Sequence, residues 1–149
     1  MIRNVITGPK TVELYKVGQE LNRGSVVTKN LTTGKAEPAD GEGVQIYFLD
    51  KDNQPMGCLS DVEISNYDPK MDVVKADTLG ILVKPAVGTH WAVDQVDGTF
   101  AVGDYAIASK GKLVKATSGK VSILKYVGVY DDGGKTLQQF EVVYPYTVS

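Results

Sequence analysis

Few stretches of this chain run beyond a dozen residues before a glycine, a proline or a polar cluster interrupts them. That punctuation constrains the fold more than any other feature. An amphipathic helix needs several uninterrupted turns of 3.6-residue periodicity, whereas a strand needs only four to eight residues between turns. Val, Thr and Tyr recur between the breaks, and these side chains suit a pleated surface. The reading is all-β: a small β-barrel or sandwich with an inserted β segment and an extended N-terminal arm.

The segments follow from alternation. Gly43 to Leu49 puts Val44, Ile46 and Phe48 on one side, and the cluster Asp50 to Pro55 turns the chain into a second run through Val62 and Ile64. Thr78 to Lys84 carries Leu79, Ile81 and Val83 and stops at Pro85; Thr89 to Val96 carries Trp91, Val93 and Val96. Asp104 to Ser109, Leu113 to Ala116, Val121 to Tyr130 and Thr136 to Tyr144 read as strands, the last two joined by a turn at Asp131-Asp132-Gly133-Gly134. One short helical turn is expected, at Asp68 to Val74.

The length of 149 residues suits one domain with a real core. Residues 1–16 are expected to be an arm or an edge strand, residues 17–149 a single β domain, and 41–87 an inserted lobe within it. Val17-Gly18-Gln19-Glu20-Leu21 followed by Gly34-Lys35-Ala36-Glu37 echoes Val102-Gly103-Asp104-Tyr105-Ala106 followed by Gly111-Lys112-Leu113-Val114. Two readings stand for that echo, a structural duplication or the chance likeness of short hairpins.

Chemistry leaves little mark. A net charge of −2 with scattered lysines gives no basic stripe for nucleic acid. The start, Met1 to Pro9, has too short an apolar run for a signal peptide, and the apolar runs elsewhere are strand-sized, so no bilayer span is expected. Cys58 is alone, which removes an internal disulfide and fits a reducing compartment. Gly134-Lys135-Thr136 ends like a phosphate-binding loop, but the glycine due at 129 is a valine and a strand follows where a helix must open. Asp50-Lys51-Asp52-Asn53 begins like a calcium loop, but its sixth position is Pro55 and its twelfth Asp61. His90 is the only histidine, too few for most structural zinc sites, and no nucleophile elbow accompanies it. Glu13 with Glu20, or Asp61 with Glu63, would serve acid–base work only if folding brought them together. No catalytic, metal or cofactor residue is assigned, and the chain is not read as an enzyme. Eight tyrosines against one tryptophan point instead to half-buried contacts and interfaces.

From about residue 99 onward the chain resembles the small β-barrel domains of tailed-bacteriophage capsid decoration (cement) proteins. The run Val102-Gly103-Asp104-Tyr105-Ala106-Ile107, Gly111-Lys112-Leu113-Val114, Tyr126-Val127-Gly128-Val129 and Phe140-Glu141-Val142-Val143 carries the likeness. The resemblance implies a virion structural protein, made in the host cytoplasm and bound to the capsid outer surface, where it stabilises the expanded head. Its partner would be the major capsid protein, and it would be a homo-oligomer with a trimer favoured. No cofactor, nucleic acid or membrane is implied. Candidate contact residues are Ile2, Val5, Ile6, Val12, Leu14 and Tyr15 in the first segment, and Tyr144 and Tyr146 in the tail Tyr144-Pro145-Tyr146. A tail-tube or head–tail connector subunit and a carbohydrate-binding module stacking sugars on Trp91 are the rival roles, with a hydrolase built on His90 last.

Overall fold

The computed structural model describes residues 1–51 and 72–149. The chain is all-β. Its strands are β1 (Ile2–Ile6), β2 (Lys10–Lys16), β3 (Leu21–Asn22), β4 (Val26–Asn30), β5 (Lys35–Pro38), β6 (Tyr47–Asp50), β7 (Val73–Val74), β8 (Leu79–Pro85), β9 (His90–Val93), β10 (Tyr105–Ser109), β11 (Lys112–Lys115), β12 (Val121–Asp132) and β13 (Lys135–Thr147). One sheet runs β1-β9-β13-β12-β10-β11, a second β2-β8-β6-β4-β5, and β3 pairs with β7 alone. The sheets pack in the manner of a sandwich.

Leaving β1 aside, the two large sheets are the same object twice. The orders β2-β8-β6-β4-β5 and β9-β13-β12-β10-β11 have identical sequence connections, antiparallel throughout. Each rolls back on itself through one parallel bridge, Val17 to Ala36 in the first repeat and Val96 to Leu113 in the second. Loop hydrogen bonds repeat as well. Gly24 N–H donates to the Leu49 carbonyl (2.7 Å) as Gly103 N–H does to Tyr126 (2.9 Å), and Ala39 N–H donates to Val26 (2.9 Å) as Ala116 N–H does to Tyr105 (2.8 Å). Gly24 and Gly103 both need positive φ, at 88° and 97°. The later half of the sequence echo, Gly34-Lys35 against Gly111-Lys112, therefore lies at structurally equivalent positions. Its first half is out of register: Val102-Gly103-Asp104 is the counterpart of Arg23-Gly24-Ser25, and Val17 is matched by Val96.

The repeats pack outside against inside. Along β6 and β8 side chains alternate, so Leu49 and Leu82 fill the first repeat's own interior with Val17, Val27 and Ala36. Phe48 and Val83 face away, and with Val26 and Ile46 they enter the second repeat's core beside Trp91, Val93 and Leu124. The Phe48 and Trp91 rings lie 5.7 Å apart. Residues 41–43 wedge between β10 and β12: Gly41 N–H donates to Ala108 (2.8 Å), Ala108 N–H to Glu42 (2.8 Å) and Ile123 N–H to Gly43 (3.0 Å). Only glycine fits at 43, where a Cβ would lie 2.2 Å from the Val121 carbonyl oxygen.

Several expected elements shift. The strand expected from Gly43 begins at Tyr47, because residues 41–43 serve as that wedge, although Val44, Ile46 and Phe48 do share the core side. Val73 and Val74, placed in the helical turn, form β7; residues 68–71, like Val62, Ile64 and Cys58, lie outside the described residues. Within 41–87, β6 and β8 are inner strands of the five-stranded sheet. Residues 2–6 and 10–16 are the outermost strands of two different sheets, on β9 and on β8.

Candidate interaction surfaces

What one repeat covers, the other leaves open. The second repeat's mouth is lined by Trp91, Val93, Ala108, Leu124 and Val142, all buried under the first repeat. Strand register makes Glu13, Tyr15, Lys29, Tyr47 and Lys84 their counterparts in the first repeat. These line or adjoin a cleft of about 720 Å³ that also takes in Thr28, Asp40 and Glu42. Lys29 is ion-paired with Glu13 and lies 4.8 Å over the Tyr47 ring. The hydrogen bond to Glu13 is the main cause that raises the Lys29 ammonium above its usual range. Lys84 donates to the carbonyls of Val44 and Ile46 (2.9 and 3.1 Å), and burial lowers it. Glu42 accepts from the N–H groups of Val44, Gln45 and Gly43, which hold its carboxyl below the usual range. Asp40 accepts from Lys110 N–H. Each charged group is already engaged within the protein, which makes this end a solvated cap, as terminal repeats require.

The opposite end carries tyrosines. Val26, on the first repeat's outer face, is the counterpart of Tyr105, whose ring stacks on Tyr146 at 4.6 Å. Tyr146 is 44% exposed and Tyr144, on the same strand end, 77%. The first repeat's version of this face is an interface; the second repeat's is open to solvent among the described residues.

The remaining candidates fall in different places. Ile2 is 3% exposed in the main core, and Val5 packs beside Met1, Ala92 and Leu137. Tyr15 is half-buried at the mouth, Ile6 is exposed, and Val12 and Leu14 project from β2 at 51% and 65% exposure. Sequence reasoning treated residues 1–16 as one strip, but β1 and β2 turn their side chains to separate surroundings. It did not count Tyr105 among the contact residues, although Tyr105 stands in the Val102 to Ile107 run.

Other chemistry is structural. Trp91 is 2% exposed and its indole N–H donates to Thr89 Oγ1 (3.0 Å), so it offers no sugar a platform. His90 Nδ1 lies 2.9 Å from Gln139 Nε2. The Met1 ammonium contacts Asp94 Oδ1 (2.7 Å), Asp72 Oδ2 (2.9 Å) and the Arg23 carbonyl (2.8 Å), while Arg23 Nε reaches Asp50 Oδ1 (2.7 Å). Lys135 lies 3.2 Å from Asp94 Oδ2, so the acids are met by cations of the chain itself. Among the described residues no group of His, Cys, Asp or Glu gathers as a metal site, and no helix is long and apolar enough to cross a membrane. No protein family, no curated protein and no solved structure matches this chain.

Proposed function

We propose that this chain is a structural protein of a tailed-phage virion that binds the outer surface of the capsid, meets the major capsid protein there and stabilises the expanded head. One observation carries the reading: the second repeat leaves open, and furnishes with the stacked pair Tyr105 and Tyr146, the face that the first repeat buries, with Tyr144 exposed on the same strand end. Tyrosine gives an interface a rigid apolar body and a hydrogen-bonding tip, and interfaces are enriched in it. The major capsid protein is proposed as the partner because residues 102–143 resemble decoration proteins. The logic is mass action. A protein that binds only the expanded lattice stabilises it by about 2.7 kcal/mol per site at a hundred times the dissociation constant. Repeated over the shell, that term opposes internal pressure without any catalytic step.

Co-sedimentation tests the reading. The purified chain is expected to pellet saturably with expanded heads built from the major capsid protein of the same phage. Tyr144→Ala with Tyr146→Ala is expected to weaken binding by about tenfold or more, as loss of two interface aromatics does. A chain that stays in the supernatant at every concentration contradicts the reading.

A further inference from the structure

We propose that an extended, uncharged segment of another protein adds as a short strand to residues 100–102 and seats one valine-sized side chain in the cavity beside them. In the first repeat the equivalent place is filled from within the chain. There β3 pairs Leu21 with Val74 and Asn22 with Val73 of β7, and Arg23 N–H donates to the Asp72 carbonyl (2.6 Å). Val74, 1% exposed, joins Val17, Leu49 and Leu82 in closing that repeat's interior. β7 belongs to the long connection between β6 and β8. The second repeat makes the same connection, from β12 to β13, by the tight turn Gly133-Gly134, and among the described residues no strand pairs with residues 100–102.

Phe100, Ala101 and Val102 are the counterparts of Leu21, Asn22 and Arg23, because the turn that follows is repeated: Ser25 N–H donates to Asn22 (3.1 Å) as Asp104 N–H does to Ala101 (3.0 Å). Among the described residues the N–H and C=O groups of Phe100 and Val102, which match those of Leu21 and Arg23 facing β7, bond to nothing in the chain. Val17, Leu49 and Gly80 correspond to Val96, Tyr126 and Gln138. These three, with Phe100, Val129 and Thr136, line a cavity of about 390 Å³. Gln138 accepts from the Tyr126 hydroxyl (2.6 Å), and Asp94 at the same wall is already held by Met1 and Lys135. Charge selects the occupant. Asp72 of β7 is met by Arg23, but Val102 replaces that arginine and is 76% exposed, beside Val129 at 64%. A carboxylate at the Asp72 position would find no cation at residue 102, whereas an apolar side chain there covers Val102. The partner segment is therefore apolar at two positions separated by one residue, and it docks by strand addition.

The test titrates the purified, isotopically labelled full chain with the capped pentapeptide Lys-Val-Thr-Val-Lys and follows amide shifts by NMR. No heads are present, so the result is separate from the capsid reading. Saturable shifts are expected at the Phe100 and Val102 amides and at the Gln138 side-chain amide, with a dissociation constant in the millimolar range, as suits so short a strand. Val102→Pro deletes the N–H that matches the Arg23 donor. It stands second in a turn whose third residue, Gly103, has a φ of 97°, and that position favours proline. Loss of one hydrogen bond is expected to weaken binding about fivefold, read at Phe100. Exchanging the peptide's C-terminal valine for aspartate, which leaves the protein untouched, is expected to abolish the shifts, and exchanging its threonine for lysine to change them little. No saturable shift at Phe100 and Val102 up to about 10 mM peptide overturns the proposal, as does binding indifferent to the aspartate exchange. Shifts there that grow with protein concentration before peptide is added would make a second copy the occupant and overturn it as well.

Discussion

Single residues reveal where this fold is least tolerant. Gly43→Ala would put a methyl carbon against the Val121 carbonyl inside the wedge, and overpacking of that kind costs about 1–3 kcal/mol. Urea unfolding should show the midpoint falling with an unchanged slope. The cluster around the Met1 ammonium is a second such place. Burial works to raise the Asp94 carboxyl, but hydrogen bonds from the Met1 ammonium, Gln95 and Lys135 outweigh it, and the group sits below its ordinary range. A carboxyl depressed in the folded state adds stability that is complete above its unfolded pKa and lost as pH falls through the folded value. The protein is therefore expected to lose stability below about pH 4, and Asp94→Asn should flatten that dependence in melts across pH 2–6. Arg23, 5% exposed, neutralises Asp50 and Asp72. Arg23→Leu is expected to cost about 1–3 kcal/mol, because half-buried Asp50 loses its hydrogen-bonded cation and Asp72 is left with the Met1 ammonium.

At the scale of elements, Phe48 shows how the repeats are joined. It leaves its own sheet and packs on Trp91 across the interface. Phe48→Ala is expected to cost about 3–5 kcal/mol, and one unfolding transition should remain, monitored by both tryptophan fluorescence and circular dichroism. β8 was legible in sequence as an apolar run buried on both faces, with Leu82 inside its own repeat and Val83 in the interface. Trp91 and Val93 on β9 and the β12–β13 hairpin were legible because their alternation follows burial. In that hairpin Asp132 pairs with Lys135 across Gly133 and Gly134, both at positive φ, as the turn residues require. β4 and β5 escaped notice because Lys29, Glu37 and Pro38 interrupt the apolar pattern; they are held by pairing with each other and by the Val17 bridge. The duplication was half legible. Its glycine–lysine hairpins survive in both copies, but the upstream echo sets Val17 against Val102, six residues from its structural counterpart Val96 and further than the two extra residues of the β4–β5 turn account for, so that half is a likeness of short Val-Gly stretches.

The whole molecule is a head-to-tail pair whose inner joint is apolar and whose two ends are polar. The first repeat's mouth replaces Trp91, Leu124 and Val142 by Glu13, Tyr47 and Lys84, while the second repeat's outer face replaces Val26 and Phe48 by Tyr105 and Lys125. Such end faces stop the chain from stacking indefinitely on itself and leave the outer surface free for partners. None of this could be read from sequence, since the surface residues acquire meaning only from their buried counterparts. Hydrogen exchange of the purified chain, with and without expanded heads, tests this most directly. Bound heads are expected to slow exchange at Tyr105 and across 144–147 and to leave the cleft of Lys29, Tyr47 and Lys84 unchanged. Protection confined to that cleft, or none anywhere, would contradict a protein that works through its outer surface.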